Sequence, residues 1–362
     1  MANQHVQSAY QLAGIDAGTL QQLLKQWQQP AFRARQILDW RNKGVLNPDN
    51  MGNLPRELRQ RLATEIECES LQLVRRQCSV DGTRKYVFSL KRHALRGKQI
   101  ESVLIPESKR ATVCISSQVG CVLDCPFCYT GTQGFEGNLT AAEIAAQILA
   151  IKHDLRSDPL PQRLHNEVTH IVYMGMGEPM ANEAGVHGSL RLLLDDFRIS
   201  RRRITLSTSG LVPQIERLGE HYPVNLAISL HAADDDLRDR LVPINRKYPL
   251  ARLRDCLNRY PLGKQRHITL EYVMLAGVND REEDIHSLLA FINPARERLN
   301  LIQFNPYPGN PFLGSSKEHM NIFAQRLISK GVRATVRRSR GEDIMAACGQ
   351  LKAETAARAA EH

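Results

Sequence analysis

Apolar positions along the chain fall into three regimes. Up to about residue 75 they recur at helical spacing. Leu20, Leu23 and Leu24 begin one amphipathic stretch, AFRARQILDWRNKG forms a second that stops at Gly44, and LPRELRQRLATEI forms a third. From about residue 76 the pattern shortens to β segments. CSVDG can turn at Asp81-Gly82, and KYVFSLKR, QIESVLIP and ATVCISS read as strands.

From about 120 to 345, strand-like and helix-like segments alternate. VTHIVYMG, RRITLSTSG, VNLAISLH, HITLEYVML and RLNLIQFN are apolar or β-branched, with readable helix starts between them. Thr140 with Glu143 forms a capping box, and Ile144, Ile148, Ile151 and Leu155 then trace one stripe. Asp280 with Glu283 opens another helix. Ser315 with Glu318 opens a third, carrying Met320, Phe323 and Leu327 until Gly331 stops it. Such alternation predicts βα units around a parallel sheet, an α/β fold of partial-barrel type. The expected division is a helical unit over 1–75, a β-rich connector over 76–110, a catalytic core over 111–348 and a tail over 349–362. Chemistry in such a barrel gathers at the C-terminal strand ends, where this chain places Gly175–Glu178, Ser207, Ser229–His231 and Asn305.

The 362 residues suffice for one catalytic domain with smaller attachments. The opening MANQHVQSAYQLAG lacks the basic flank and apolar core of a secretory signal. No run reaches the roughly 18–20 apolar residues of a membrane span, so a cytoplasmic chain is expected. With 48 basic and 38 acidic residues the net charge is +10, which favours a polyanionic partner, nucleic acid first. RISRRR at 198–203 and Arg333, Arg337, Arg338 and Arg340 concentrate that charge. Such arginines position phosphates without reading sequence, and each run alone is equally a solvated surface.

Four of the eight cysteines fall between 114 and 128. GCVLDCPFCYTG sets Cys121, Cys125 and Cys128 in a C-x3-C-x2-C arrangement. Three thiolates on a cubane [4Fe–4S] cluster leave one iron open to a ligand. A structural zinc site would need a fourth ligand, Cys114 or a distant residue. Phe127 and Tyr129 flank the last cysteine as packing that excludes water. In MGMGEP, residues 174–179, glycine allows close backbone approach and Glu178 can accept hydrogen bonds from an ammonium. Cys114 and Cys348, read singly, are small buried hydrophobes, although Ala-Ala-Cys-Gly also suits a mobile turn. Cys68, Cys78 and Cys256 sit in helix or strand patterns.

The cysteine spacing resembles that of radical S-adenosylmethionine enzymes. In these the open iron chelates the methionine moiety, and reduction cleaves the sulfonium to a 5′-deoxyadenosyl radical. FRARQILDW, ESVLIP at 101–106, CISSQVGC at 114–121, MGMGEP, ITLSTSG at 204–210, AISLHA at 227–232, VPINRKY at 242–248, NPYPG at 305–309 and RGEDIMAACGQL at 340–351 narrow the match. Together, over essentially the whole chain, they resemble the dual-specificity RNA methyltransferases that modify C2 of adenosine.

That resemblance implies a partial (β/α)6-type barrel as the radical core, with a small N-terminal helical domain and a short β extension. It implies a [4Fe–4S] cluster on Cys121, Cys125 and Cys128, and an S-adenosylmethionine site formed by Gly177, Glu178, Ser207, Ser229, Leu230, His231 and Asn305. Cys348 is then the cysteine that becomes methylated, Cys114 its partner, and Glu101 the residue at the proton-transfer position. The implied targets are an adenosine in the peptidyl-transferase region of 23S rRNA and the adenosine next to the anticodon in tRNA. A flavodoxin-like electron donor and a thiol reductant such as thioredoxin are the implied partners of a monomeric enzyme.

Adenine C2 and C8 are electrophilic carbons that a sulfonium cannot methylate by simple displacement. In the implied route one S-adenosylmethionine methylates the Cys348 thiolate. A second yields the radical that takes hydrogen from the S-methyl group. The resulting carbon radical adds to the ring, and loss of the ring proton and one electron leaves RNA tethered to Cys348. Cys114 attacks sulfur, releasing methylated base and forming a disulfide that external thiols reset. Two cofactor molecules are consumed per methyl.

Tyr129-Thr130-Gly131 departs from the small residue, Thr and Ala usual after the third cysteine, and Gly131 is closer to relatives that methylate C8. Pro179 and NPYPG favour C2. The alternatives are C8 methylation and, more distantly, a non-catalytic cluster protein that binds RNA.

Overall fold

The structure is a computed structural model that describes residues 10–352, so most of the expected tail lies outside the described residues. Thr140 Oγ1 accepts the Glu143 N–H at 3.2 Å, and Glu143 Oε2 accepts the Thr140 N–H at 2.8 Å. This reciprocal cap starts α4 (Ala141–Ser157), whose Ile144, Ile148, Ile151 and Leu155 are buried in the main core.

The predicted strands join one mixed sheet. Its antiparallel part is β1 (Leu71–Cys78), β2 (Arg84–Leu90), β3 (Gln99–Pro106) and β4 (Ala111–Cys114). A small hairpin, β5 (Gln118–Gly120) with β6 (Phe135–Asn138), brackets the cysteine loop. From β4 the sheet continues in parallel through β7 (Val168–Tyr173), β8 (Ile204–Thr208), β9 (Asn225–Ser229), β10 (Ile268–Met274), β11 (Glu297–Gln303) and β12 (Ala334–Arg337). This ten-stranded sheet forms the partial-barrel core, with β12 a further parallel strand at its edge. The connecting helices are α5 (Glu183–Arg191), α6 (Val212–His221), α7 (Asp235–Leu241), α8 (Leu250–Arg259), α9 (Glu282–Phe291) and α10 (Lys317–Ser329).

Helices α1 (Ala17–Gln26), α2 (Phe32–Asn42) and α3 (Arg56–Glu65) enclose a core of their own that includes Leu20, Trp27, Ile37 and Leu62. Arg41 fastens this unit to the rest. Fully buried, it donates to the Ile15 carbonyl at 2.6 Å and lies over the Phe197 ring. Gly44 has φ +83°, and a Cβ there would stand 2.7 Å from the His153 nitrogen, so glycine is required where α2 meets α4.

Two helix starts lie one residue later than the sequence suggests. Arg281 and Ser316 are the N-caps of α9 and α10. Asp280 and Ser315 are instead bound to each other, Ser315 Oγ donating to Asp280 Oδ2 at 2.7 Å. The RISRRR run lies away from the site motifs. Arg201–Arg203 form a turn leading into β8, at the N-terminal edge of the sheet and opposite the strand ends that carry the site motifs. Among the described residues no helix is long and apolar enough to cross a membrane.

Candidate active site

A cavity opens at the C-terminal ends of the parallel strands. Cys121, Cys125 and Cys128 line one side, and Gly177, Glu178, Ser207, Ser229, His231 and Asn305 the other. The strand ends must approach closely to build it. Gly177 has φ +97°, and a Cβ there would fall 2.5 Å from that of Gln118. Gln118 then ties the two sides together, its Oε1 accepting the N–H groups of Glu178 at 3.0 Å and Val122 at 3.3 Å.

Glu178 is held from both oxygens. Oε1 accepts the Met180 N–H at 3.0 Å and Oε2 the Ser209 N–H at 2.8 Å. Burial raises its pKa, and these two backbone donors oppose the rise. The Thr208 and Ser209 hydroxyls add to the donors around the carboxyl group.

Burial pushes the Cys121 thiol up to about 12, and raises Cys125 and Cys128 as well. Thiolates crowded this way need a cationic partner, which iron supplies. Among the described residues no three His, Cys, Asp or Glu side chains converge as a single metal ion would require. A tetranuclear cluster makes no such demand, since each thiolate takes a different iron. Three thiol donors on one loop are a set that suits such a cluster.

His231 adopts φ +57° and accepts the Val273 N–H on Nδ1 at 3.1 Å, which places its own proton on Nε2. Burial, then the Arg238 charge, pushes its pKa down to about 3. The unfolded chain therefore binds the extra proton below about 6.5, and stability falls with pH between that value and 3. Asn tolerates the same backbone region without titrating. Melting wild type and His231→Asn at several pH values is expected to show their stability gap shrinking below 6.5. Parallel curves would refute the assignment.

A second cavity adjoins the first. Cys114, at the end of β4, lines only the second, whereas Cys348, Asn305 and Arg337 line both. Burial pushes the Cys114 thiol up to about 12, with Cys348 adding to the rise. The Arg337 pKa is raised chiefly by the adjoining Cys348 sulfur, against burial.

This arrangement can be set beside known proteins. The radical SAM superfamily model matches residues 115–289, and the ribosomal RNA large subunit methyltransferase N-terminal domain model matches residues 10–68. The chain is 46% identical to the dual-specificity RNA methyltransferase RlmN of Parvibaculum lavamentivorans, over 97% of this chain and 91% of that protein. Its identity to the RlmN of Magnetococcus marinus is 44%, over 94% of each. The solved structure of a radical SAM methyltransferase from Sphaerobacter thermophilus superposes with a TM-score of 0.88 at 41% identity, over 95% of this chain and all of that one. The chain belongs to the RlmN family.

In this RlmN-family chain the segment carrying Cys348 is strapped to three parts of the fold: the cysteine loop, the segment after β11 and strand β2. Tyr129 N–H donates to the Gly349 carbonyl at 2.7 Å, and Thr130 Oγ1 to the Leu351 carbonyl at 2.5 Å. Asn305 Nδ2 donates to the Cys348 carbonyl at 3.3 Å, Gln350 Nε2 to the Pro306 carbonyl at 2.9 Å, and Lys85 Nζ to the Met345 carbonyl at 3.3 Å. The unusual Tyr129 has a place here. Its ring stacks on Tyr307 at 4.4 Å and receives the Lys352 ammonium at 4.2 Å. Gly131 is equally accounted for, since a Cβ would stand 3.0 Å from the Cys125 carbonyl oxygen.

Two expected site residues stand apart. Leu230 is fully buried in the main core and lines neither cavity, contributing an N–H to the Glu271 carbonyl at 3.0 Å. Glu101, also buried, lines neither cavity. It pairs with Lys85 Nζ at 3.4 Å and accepts the Lys352 N–H at 3.1 Å, so it fastens the end of the strap. Burial raises its pKa, opposed by Lys85.

Sequence reasoning missed Arg238 and Glu271. Arg238, on α7, is fully buried and donates to the carbonyls of Ser209, Ser229 and Leu230 and to Asn245 Oδ1, at 2.7–3.2 Å. Glu271 was visible as the one charge in HITLEYVML, and that was its signal. Of the basic runs, Arg337, Arg338 and Arg340 line the second cavity, while Arg333 precedes β12 at the far edge.

Proposed function

We propose that this chain methylates C2 of adenosine in 23S rRNA and in tRNA, with Cys348 carrying the methyl group between cofactor and base. One observation carries this reading: Cys348 stands in the wall common to both cavities, with Cys114 facing only the second. The first cavity would take S-adenosylmethionine and the second the adenine of a nucleotide drawn out of its RNA stack.

Cys121, Cys125 and Cys128 would hold a [4Fe–4S] cluster, which when bound supplies the electron for radical cleavage of S-adenosylmethionine. Glu178, rigid and acidic beside the cysteine loop, would take the ammonium of the methionine moiety. Phe127 packs edge-on against His231, ring centroids 4.8 Å apart, and keeps water from that loop. Cys348 accepts a methyl from the cofactor side and presents it to the RNA side. Arg337 stands beside it in the wall of both cavities. Cys114, which lines the same second cavity as Cys348, would act from the RNA side as the resolving thiol. Arg110, Arg338 and Arg340 at the second cavity would hold phosphates.

The test is mass spectrometry of digested RNA after anaerobic reaction of the reconstituted protein with labelled S-adenosylmethionine, a reductant and rRNA fragments or tRNA. A 2-methyladenosine product supports the reading. An 8-methyl product would keep the route and overturn the position. Cofactor cleavage without a methylated base would overturn the RNA target, and no cleavage at all would favour a non-catalytic RNA-binding protein.

A further inference from the structure

Glu271 lies in the middle of β10, between the fully buried Leu270 and Tyr272, and is itself only 5% exposed. Its side chain lines the first cavity. Oε1 accepts the Asn300 Nδ2–H from β11 at 3.2 Å, which fixes the orientation of the carboxyl group. Oε2 is buried and has no hydrogen-bond partner. Burial raises the pKa, while Arg337, Asn300 and Arg298 oppose it. A desolvated carboxylate oxygen without a donor is costly, and such a group in a native cavity calls for a partner.

We infer that Glu271 Oε2 accepts a hydrogen bond from a ribose hydroxyl of S-adenosylmethionine. This rests on the proposed function, in which the first cavity takes that cofactor, and it assigns the cavity's remaining acidic group. The cofactor offers N–H or O–H donors in three places: its ammonium, its ribose and its adenine amine. The ammonium belongs at the other side, where Glu178 and the cysteines gather negative charge, whereas Glu271 has the cation Arg337 for a neighbour. The adenine amine is flanked by the N1 and N7 lone pairs, which a carboxylate repels. A sulfonium has no proton to give. The vicinal diol supplies two hydroxyl donors without an adjoining repulsive group, and acidic side chains accept from ribose in this way in dinucleotide sites. The main chain agrees with this placement. The Glu271 carbonyl accepts the N–H groups of Leu230 at 3.0 Å and His231 at 3.3 Å, so the carboxyl group is anchored directly beneath the Ser229–His231 turn of the same cavity.

The experiment is calorimetric binding of S-adenosylhomocysteine and of its 2′,3′-dideoxy analogue to the anaerobically reconstituted full chain. It compares wild type, Glu271→Leu and Glu271→Gln, with iron content and melting temperature as folding controls. Glu271→Leu is expected to weaken S-adenosylhomocysteine about 10- to 100-fold and to leave the dideoxy analogue bound as by wild type. Glu271→Gln keeps the shape of the side chain and is expected to show a smaller loss with the same dependence on the hydroxyls. It decides the matter if the leucine variant does not fold. Equal losses for both ligands, or none for either, would overturn the assignment. Failure of wild type to bind S-adenosylhomocysteine would instead overturn the cofactor reading beneath it.

Discussion

With Cys348 replaced by alanine, RNA methylation is expected to fall by at least about 10⁴-fold, as loss of a covalent carrier does, while S-adenosylmethionine cleavage continues. The separation follows from where the side chain sits. The strap is held through main-chain carbonyls and by Lys352 over Tyr129, none of which the substitution removes. The thiols of the cysteine loop, Glu178 and His231 line the first cavity independently of Cys348. Cys114→Ala should fail differently, because it removes only the thiol on the RNA side. RNA would then remain joined to Cys348, as a protein–RNA adduct that survives denaturing electrophoresis and is lost in the double variant. Methyladenosine formed by Cys348→Ala would eliminate the carrier role, and free turnover by Cys114→Ala would eliminate the resolving role.

Arg238→Met is expected to lower stability by about 3 kcal/mol or more, read as a melting temperature lower by roughly 4 °C or more. The guanidinium is fully buried and serves four acceptors, three of them carbonyls at the ends of β8 and β9. Methionine fills much of the volume and satisfies none of the acceptors, and an unsatisfied buried acceptor costs more than the bond was worth. Burial lowers the Arg238 pKa to about 10, so the group stays charged at neutral pH. Arg238→Lys keeps the charge and loses the fork, so it should fall between. Because Ser207, Ser229 and His231 stand on the same strand ends, cofactor affinity should fall with stability. A methionine variant that melts within 1 °C of wild type would dismiss the role given to Arg238.

The residues legible from sequence were those whose signal is local. Thr140 and Glu143 form the capping box their spacing announces, and the apolar parallel strands run nearly where the β-branched segments place them. Strand β1 was read as the end of the helical unit because it is a sheet edge. Six of its eight residues are exposed, so no alternation of apolar positions marks it. Asp280 and Ser315 look like caps in sequence, yet each satisfies the other across 35 residues, and their neighbours do the capping. The cysteine motif and strand-end polar residues were legible because spacing and strand direction put them together. Arg238 and Glu271 were not, since a charged residue in sequence says nothing about which carbonyls or cavity it will meet. The partners of Glu101, the Lys85 ammonium and a strap N–H, were likewise invisible in sequence, since they come from β2 and from a segment 251 residues away.

Cys348 and Arg337 in a shared wall bear on a difficulty peculiar to the proposed reaction, in which both ligands are adenosines. In a single open chamber the spent cofactor, 5′-deoxyadenosine, would compete with the very nucleoside to be modified. Two chambers that share a wall make identity a matter of address. On the proposed reading each adenine would be sorted by the chamber it occupies, the free one beside the cysteine loop and the RNA-borne one beside Arg110, Arg338 and Arg340, so neither chamber would have to distinguish one adenine from the other.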